Sequence, residues 1–429
     1  MQQPVQQREQ LRRGCRVLVV GQGAREHAIV WTLHHSRFEP KLFVAPGNPG
    51  MEGICTRVPI AAHDVHELVS FALEAHIDLV VIGPEAPLSL GLVDECLKHG
   101  IPAFGPTKAA AQLESSKAFA KDLMKKAGVP TAVYEVFTDA AKARAYVEAH
   151  GAPIVVKADG LAAGKGVIVA QTTQEACNAI DDILIGQRFG ESGNRVVIES
   201  FLEGQEASLM FFVDDELALP MVPARDYKRI GEGNTGPNTG GMGSVAPVLR
   251  DRPEIVAEVE RTIVQPVLRE LKAREITYQG VLYVGLMVTR DGRPMVIEFN
   301  ARFGDPETEV VLPLLRTDLL QVMWATAHHA LRDVRLEWST GHAVCVVLAA
   351  PGYPEKPVVG QPIQFAHGPS DLVFHAGTTS DNGVLKTSGG RVLTVVGFGT
   401  TRHEAQGVAY RIAENIYFDG KQIRRDIGN

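Results

Sequence analysis

Cysteine is scarce in this chain. Five occur in 429 residues, at positions 15, 55, 96, 177 and 345, with no CxxC pair among them. An odd, dispersed set excludes a disulfide framework and reads as reduced thiols of a cytoplasmic protein. No apolar run reaches the ~18 residues that a membrane helix needs, so no membrane partner is expected. The first thirteen residues are Gln-rich and carry Arg8, Arg12 and Arg13. They lack the apolar core of a secretory signal, and residues 1–14 read as a disordered tail. A basic excess is missing too: 43 Lys+Arg against 50 Asp+Glu leave a net charge of −7. That excludes a general nucleic-acid binder and leaves room for a local basic pocket. HExxH and GxSxG are absent, and the fourteen histidines form no metal-spaced cluster. A zinc site and a hydrolase elbow therefore have no support. No internal repeat is visible.

Glycine, by contrast, is abundant: 42 of 429 residues, above the ~7% average. Length alone suggests about three domains. Between 15 and about 115, short β-branched runs alternate with helical patterns. Strands are expected at Arg16–Val20, Lys41–Ala45, Ile77–Ile82 and Pro102–Phe104, the alternation of a parallel, doubly wound sheet. A helix is expected over 109–127, stopped by Gly128 and Pro130. Strands follow at Ile154–Lys157, Val167–Ala170 and Val196–Ser200. Val281–Thr289, the Asp291-Gly292 turn and Met295–Asn300 read as a hairpin. From about 341 a small β-rich unit begins with Ala343–Ala349 and carries one helix over 403–416.

The glycines fall in four clusters. In the first, strand Arg16–Val20 runs into Gly21-Gln22-Gly23-Ala24-Arg25-Glu26. The glycines allow a tight turn, and a helix start there would point N–H groups at an anion, with Arg25 at the mouth. A dinucleotide fingerprint needs Gly at 26 and an acid at the second strand tip. This chain has Glu26 and Pro46-Gly47-Asn48 instead, which disfavours NAD. Gly83-Pro84-Glu85 ends the third strand at the same sheet edge, where Glu85 could hold ribose hydroxyls.

The second cluster, Lys157 to Gly166, joins two strands and does not have Walker spacing. Such a loop can fold over a triphosphate through Gly160, Gly164, Lys165 and Gly166, with Lys157 directed into the site. In the third, alternation puts Glu298 and Asn300 on one strand face with Val296, while Ile297 and Phe299 face the core. A carboxylate and an amide oxygen two residues apart suit Mg2+, and Arg302, Asp305 and Glu307 follow. The fourth, Asp226-Tyr227-Lys228-Arg229 and the stretch Asn234–Gly243, reads as a backbone-lined substrate pocket.

Together these stretches resemble one family. GQGAREHA, APGNPG, IGPEAPL, FGPTKAAAQLESSKAF, KADGLAAGKGV, ESFLEGQEAS, DYKR, TGPNTGGMG, EFNARFGDPETE, FHAGT, SGGRVL and RRDIG occur in order along nearly the whole chain. They are similar to the glycinamide ribonucleotide synthetases (phosphoribosylamine–glycine ligases), ATP-grasp enzymes of purine biosynthesis. The resemblance implies an α/β multidomain chain. It would have an N-terminal Rossmann-like domain for phosphoribosylamine (15–116), an ATP-grasp domain (117–335) with a lid at about 134–203, and a C-terminal domain (341–429). It implies that Lys117 and Lys157 contact ATP phosphates, that Glu199 and the backbone near Leu202 hold adenine, and that Glu206 holds the ribose. Glu298 and Asn300 would carry Mg2+ or Mn2+. Gly23, Arg25, Glu26, Gly83, Pro84, Glu85, Asp226, Lys228, Gly240 and Gly241 would bind glycine or the phosphoribosylamine. Arg302, Lys157 and Asp226 would serve the chemistry. Ala24 departs from the family's usual Gly. The further purine-pathway domains fused to this enzyme in animals are expected to be absent, and the protein to be a monomer or weak homo-oligomer.

Two other readings stay open at this point: another ATP-grasp carboxylate–amine ligase, and a non-catalytic nucleotide- or metabolite-binding module. DYKR and TGPNTGG argue against the first. Lys157 and the intact Glu298/Asn300 pair argue against the second.

Overall fold

The structure is a computed structural model that describes residues 10–161, 166–368 and 372–429. Among these residues no helix is long and apolar enough to cross a membrane. Of the expected tail, residues 1–9 lie outside the described residues. Residues 12–14 do not behave as a free tail: Arg12 pairs with Asp78 at 2.8 Å, and the Gly14 N–H donates to the Phe38 carbonyl at 2.8 Å.

The N-terminal sheet is parallel. Its strands lie side by side in the order Thr56–Arg57, Lys41–Pro46, Arg16–Gly21, Leu79–Ile82, Ala103–Phe104. Val17 to Val20 are all fully buried, because helices cover both faces and the strand has no polar side. The chain leaves Arg16–Gly21 in one direction and returns on its other side at Leu79–Ile82. The crevice at that reversal is edged by Gly21–Gly23 and Gly83–Glu85.

Two antiparallel sheets follow. The lid sheet orders Tyr134–Phe137, Val196–Ser200, Ile154–Ala158 and Val167–Ala170, backed by helices Ala140–His150 and Thr173–Leu184. The central sheet orders Leu217–Pro220, Gly204–Asp214, Gln279–Thr289 and Pro294–Asn300. The helix expected over 109–127 is two helices, Gln112–Ser115 and Lys117–Ala127. Ser116 between them is extended, and its hydroxyl accepts the Phe119 N–H at 3.2 Å. Asp159 takes the Ala118 N–H at 2.7 Å. The break is thus a capped helix start that local periodicity does not reveal.

A second difference bears on the site. Pro294–Asn300 pairs with Gln279–Thr289, but the register shifts: Glu298 lies opposite Gly285 and Val296 opposite Leu286, leaving Ile297 without a partner. This one-residue bulge breaks the alternation. Val296 does not share a face with Glu298. It joins Phe299 in the core, and Ile297 is only half-buried.

The C-terminal sheet orders Arg225–Asp226, Gly243–Ala246, His342–Ala349, Arg391–Gly399 and Val373–His375, covered by helix Arg402–Glu414. Two of its strands come from the segment before residue 335. The stretch read as a loop from Asn234 contains a strand, Thr235–Asn238, paired with Arg229–Gly231. Arg424 fastens that pair from the C-terminal end, donating to the Arg229 carbonyl at 2.9 Å and to Asn234 Oδ1 at 3.2 Å.

The N-terminal helix Ala24–His34 docks on the C-terminal sheet through two buried histidines. The His375 N–H donates to His27 Nδ1 at 2.9 Å. Burial, with His375 beside it, pushes His27 down to about 3, and burial pushes His375 down to about 4. Both folded values lie below the ordinary ~6.5 of the unfolded chain. The stabilisation is therefore full above about 6.5 and is lost as pH falls through the folded values. The urea midpoint is expected to fall steadily from pH 6.5 to 4. His27→Asn, which keeps an acceptor but cannot protonate, should flatten that slope by about 1.4 kcal/mol per pH unit, one proton's worth. An unchanged slope would mean that the docking histidines do not govern acid stability.

Candidate active site

The strand Ile154–Ala158 and the helix Lys117–Ala127 contribute the cations. Lys157 ends its strand buried, with Nζ 2.8 Å from Glu199 Oε1 and 3.0 Å from the Ile297 carbonyl that the bulge leaves free. Lys121 completes a buried triad, 3.0 Å from Glu199 Oε2 and 2.7 Å from Thr131 Oγ1. Burial, eased by Glu199, pushes the Lys121 amine down to about 8. Lys117 reaches the Gly160 carbonyl at 3.1 Å. Asp159, beside it, pairs with Arg195 at 2.5 Å. The Glu199 carboxylate, expected beside adenine, is paired with Lys157 and Lys121. Leu202 and Glu206 line a cleft of about 590 Å³ with Phe201, Gln205 and Met287, where the strand Gly204–Asp214 begins beside the end of Gln279–Thr289. Gly160 and Gly166 lie at the loop's two ends, and the Gly166 carbonyl accepts the Ala158 N–H at 2.8 Å. Gly164 and Lys165 lie outside the described residues.

Opposite the lysines stands the acidic strand. Burial would raise the Glu298 carboxyl, but Lys228, Lys157, Lys117 and Arg302 outweigh it and hold it below the usual carboxylate range. Lys228 lies 3.8 Å from Glu298 and 3.6 Å from Glu206. Asp226, on the short strand that pairs with Ser244, faces the same space. Burial, opposed by Lys228 and reinforced by Glu307, Glu206 and Glu298, pushes its carboxyl up to about 7. Beneath them, Tyr283 and Ser208 both donate to Glu307 Oε1 at 2.8 Å. An ionised carboxylate and an amide oxygen on one strand face form a hard donor set, so Glu298 and Asn300 fit a divalent ion such as Mg2+.

Arg302 joins this face to the N-terminal sheet. Its Nη2 is 2.7 Å from Glu114 Oε1 and its Nε 3.5 Å from Glu85 Oε2. Nη2 also donates to Asn300 Oδ1 at 3.4 Å. Arg25 lies nearby, donating to the Phe303 carbonyl at 3.2 Å and paired with Glu26 at 2.5 Å. Asp305 pairs with Arg391 at 3.0 Å.

The crevice at the first glycine cluster is not an open anion site. Glu26 Oε2 accepts the Gly23 N–H at 2.6 Å, so the helix start is already capped by a carboxylate. A Cβ at Gly21 or Gly83 would collide with that Glu26 side chain. These glycines make room for an acid. Glu26, expected among the substrate contacts, is here engaged with the Gly23 N–H and with Arg25. The Gly83 N–H is used by the Val20 carbonyl at 3.0 Å, and Pro84 has no N–H to give. Gly240 and Gly241 also spend their N–H groups, on Tyr353 Oη and Thr239 Oγ1, both at 2.9 Å.

Four residues at the site were not singled out from sequence. Lys121 follows Lys117 by four, a same-face helical spacing that was available as a signal. Glu114 and Arg391 lie inside quoted motifs, in LESS and SGGRVL, without any local feature that marks them. Tyr283 is an apolar-looking member of a buried strand.

The chain matches the family profile described as the phosphoribosylglycinamide synthetase N domain over residues 15–114, its ATP-grasp (A) domain over 115–308, and its C domain over 343–429. Phosphoribosylamine–glycine ligase of Vibrio vulnificus (strain YJ016) is 48% identical over 419 residues, covering 96% of this chain and 97% of that protein. The protein of the same name from Halalkalibacterium halodurans is 48% identical, with 96% of each chain covered. Among solved structures, phosphoribosylamine–glycine ligase of Thermotoga maritima superposes with a TM-score of 0.84 at 36% identity, covering 96% of this chain and 100% of that one. The biotin carboxylase domain of Hydrogenobacter thermophilus 2-oxoglutarate carboxylase, solved with MgADP, ADP and bicarbonate, has a TM-score of 0.73 at 17% identity, covering 97% and 92%. That likeness shows the fold alone, which is the ATP-grasp fold.

Proposed function

The chain belongs to the phosphoribosylglycinamide synthetase family of ATP-grasp ligases in purine biosynthesis, and on that premise we propose how its residues join glycine to 5-phosphoribosylamine. The products are glycinamide ribonucleotide, ADP and phosphate, formed by way of glycyl phosphate. We take residues 15–116, 117–335 and 341–429 as the phosphoribosylamine, ATP-grasp and closing units of a cytoplasmic monomer or weak homo-oligomer.

ATP would lie in the cleft at the start of strand Gly204–Asp214, its base by Leu202 and its ribose by Glu206, with Lys117 and Lys157 on the phosphates. The loop 160–166 would close over it and keep water from the acyl phosphate. Glu298 and Asn300 would hold Mg2+ or Mn2+. When bound, such an ion neutralises phosphate charge. A glycine carboxylate oxygen attacks the γ-phosphorus, and the bond to ADP breaks. Two anions meet in that step, and Lys157, Lys228 and Arg302 supply the opposing charge. The amine of phosphoribosylamine then attacks the acyl carbon, and the bond to phosphate breaks. Asp226, poised to titrate near neutral pH, takes the proton that the amine sheds. Arg25, Glu85 and Asp305 stand on the sugar side of the junction.

The observation that carries this reading is the convergence of Lys157, Lys228 and Arg302 on the face that bears Glu298 and Asn300. It predicts ADP and phosphate release that requires both glycine and phosphoribosylamine for sustained turnover. Release measured with glycine alone should be far slower than with both. Turnover indifferent to phosphoribosylamine would remove this ligase reading.

A further inference from the structure

Glu114 carries no role in the reaction as derived above, yet its carboxylate is fully engaged. The short helix Gln112–Ser115 delivers it, 7% exposed, to the junction of the N-terminal and central sheets. One oxygen accepts the Ala301 N–H at 2.8 Å, and the other meets Arg302 Nη2 at 2.7 Å. The first contact fixes the backbone where the Glu298–Asn300 strand ends. The second fixes the guanidinium that follows it. The remaining contacts of Arg302 are longer: 3.5 Å to Glu85, 3.4 Å to Asn300 and 3.2 Å to the Phe303 carbonyl.

We propose that Glu114 is a positioning residue that aims Arg302 at the phosphoryl-transfer face. The proposal rests on the reading that Arg302 serves that transfer. Arginine has a rigid planar fork, so a charge-assisted bond at one edge sets the direction of the other edges. With that bond at 2.7 Å, the same Nη2 is held toward Asn300 on the metal-ligand side and Nε is turned toward Glu85 on the sugar side. Without it, nothing at normal hydrogen-bond length would hold the guanidinium except a backbone carbonyl. Lys117 follows Glu114 by three residues, after Ser115 and Ser116, so one short stretch places an ATP-side lysine and the clamp on the arginine.

The test uses the full chain. Glu114→Gln can accept from Ala301 but turns an N–H donor toward Arg302, or the reverse. Its kcat for glycine-dependent ADP formation should fall about 10- to 100-fold, with the KM for ATP within about threefold of wild type. In an Arg302→Ala background the same change should cost less than about twofold, because residues that act through one group are not additive. Guanidinium ion added to Arg302→Ala should restore part of the rate, and should restore none in Arg302→Ala/Glu114→Gln. If the Gln variant folds poorly, Glu114→Asp, which keeps the charge but shortens the reach, serves in the same cycle. A wild-type kcat in Glu114→Gln overturns the proposal. So does an impaired Arg302→Ala in which the second change multiplies in full, an outcome that leaves the role of Arg302 standing. A wild-type rate in Arg302→Ala itself overturns both.

Discussion

Glu298→Gln is expected to lower glycine-dependent ADP formation by about 10³-fold or more while the protein still folds. The side chain is polar, is not part of the apolar core, and has four cations arranged around it. Glutamine keeps its shape and removes only the charge. An energetic loss of about 4 kcal/mol corresponds to that rate change, the size expected when the carboxylate anchoring a phosphate-bridging ion is lost. Stability should fall modestly, because Lys228, Lys157 and Lys117 lose the charge they face. The check is a coupled ADP assay beside a thermal or urea unfolding curve. Activity within tenfold of wild type would end the assignment of Glu298 as a metal ligand.

Lys157→Met should damage both activity and stability. Lys157 is one of two cations that neutralise the buried Glu199, the other being Lys121. Removing it leaves a carboxylate at 3% exposure with a single partner and the Ile297 carbonyl without its donor. Breaking a buried pair costs about 3–5 kcal/mol, which would appear as a large drop in the urea midpoint. ADP formation should fall about 10²- to 10³-fold. Adding Glu199→Gln strips the buried Lys121 of its counter-ion as well, so the double variant should be no more stable than the single one and should regain none of the turnover. Recovery of turnover in the double variant would show that Lys157 acts only as a structural counter-ion.

Much of this site was legible because its chemistry is carried by short contiguous patterns. The strand ending in Glu298 and Asn300, the Gly-rich turn after Lys157 and the sheet-edge turns at Gly21 and Gly83 each announce themselves by spacing. What stayed hidden depends on residues distant in the chain. The bulge at Ile297 arises from register against Gly285 and Leu286, which no pattern within 294–300 encodes. The break at Ser116 is imposed by Asp159, 43 residues later. The turn at Gly21 was legible, and its φ of +131° bears that out. That Gly21 and Gly83 also leave room for the Glu26 side chain was not, because Gly83 meets Glu26 only across the sheet.

The sheet that takes Arg225–Asp226 and Gly243–Ala246 from one part of the chain and three strands from another sets a limit on modularity. A fragment ending before His342 would leave Gly243–Ala246, which pairs residue by residue with Ala343–Val346, without that neighbour. The strand bearing Asp226 pairs in turn with Val245 and Ser244, so the uncovered edge would sit directly beneath a substrate-side residue. The chain therefore does not divide into an independently working ATP-handling piece and a detachable cover. Its last ninety or so residues complete the sheet that carries Asp226, and a split version would have to reassemble that sheet.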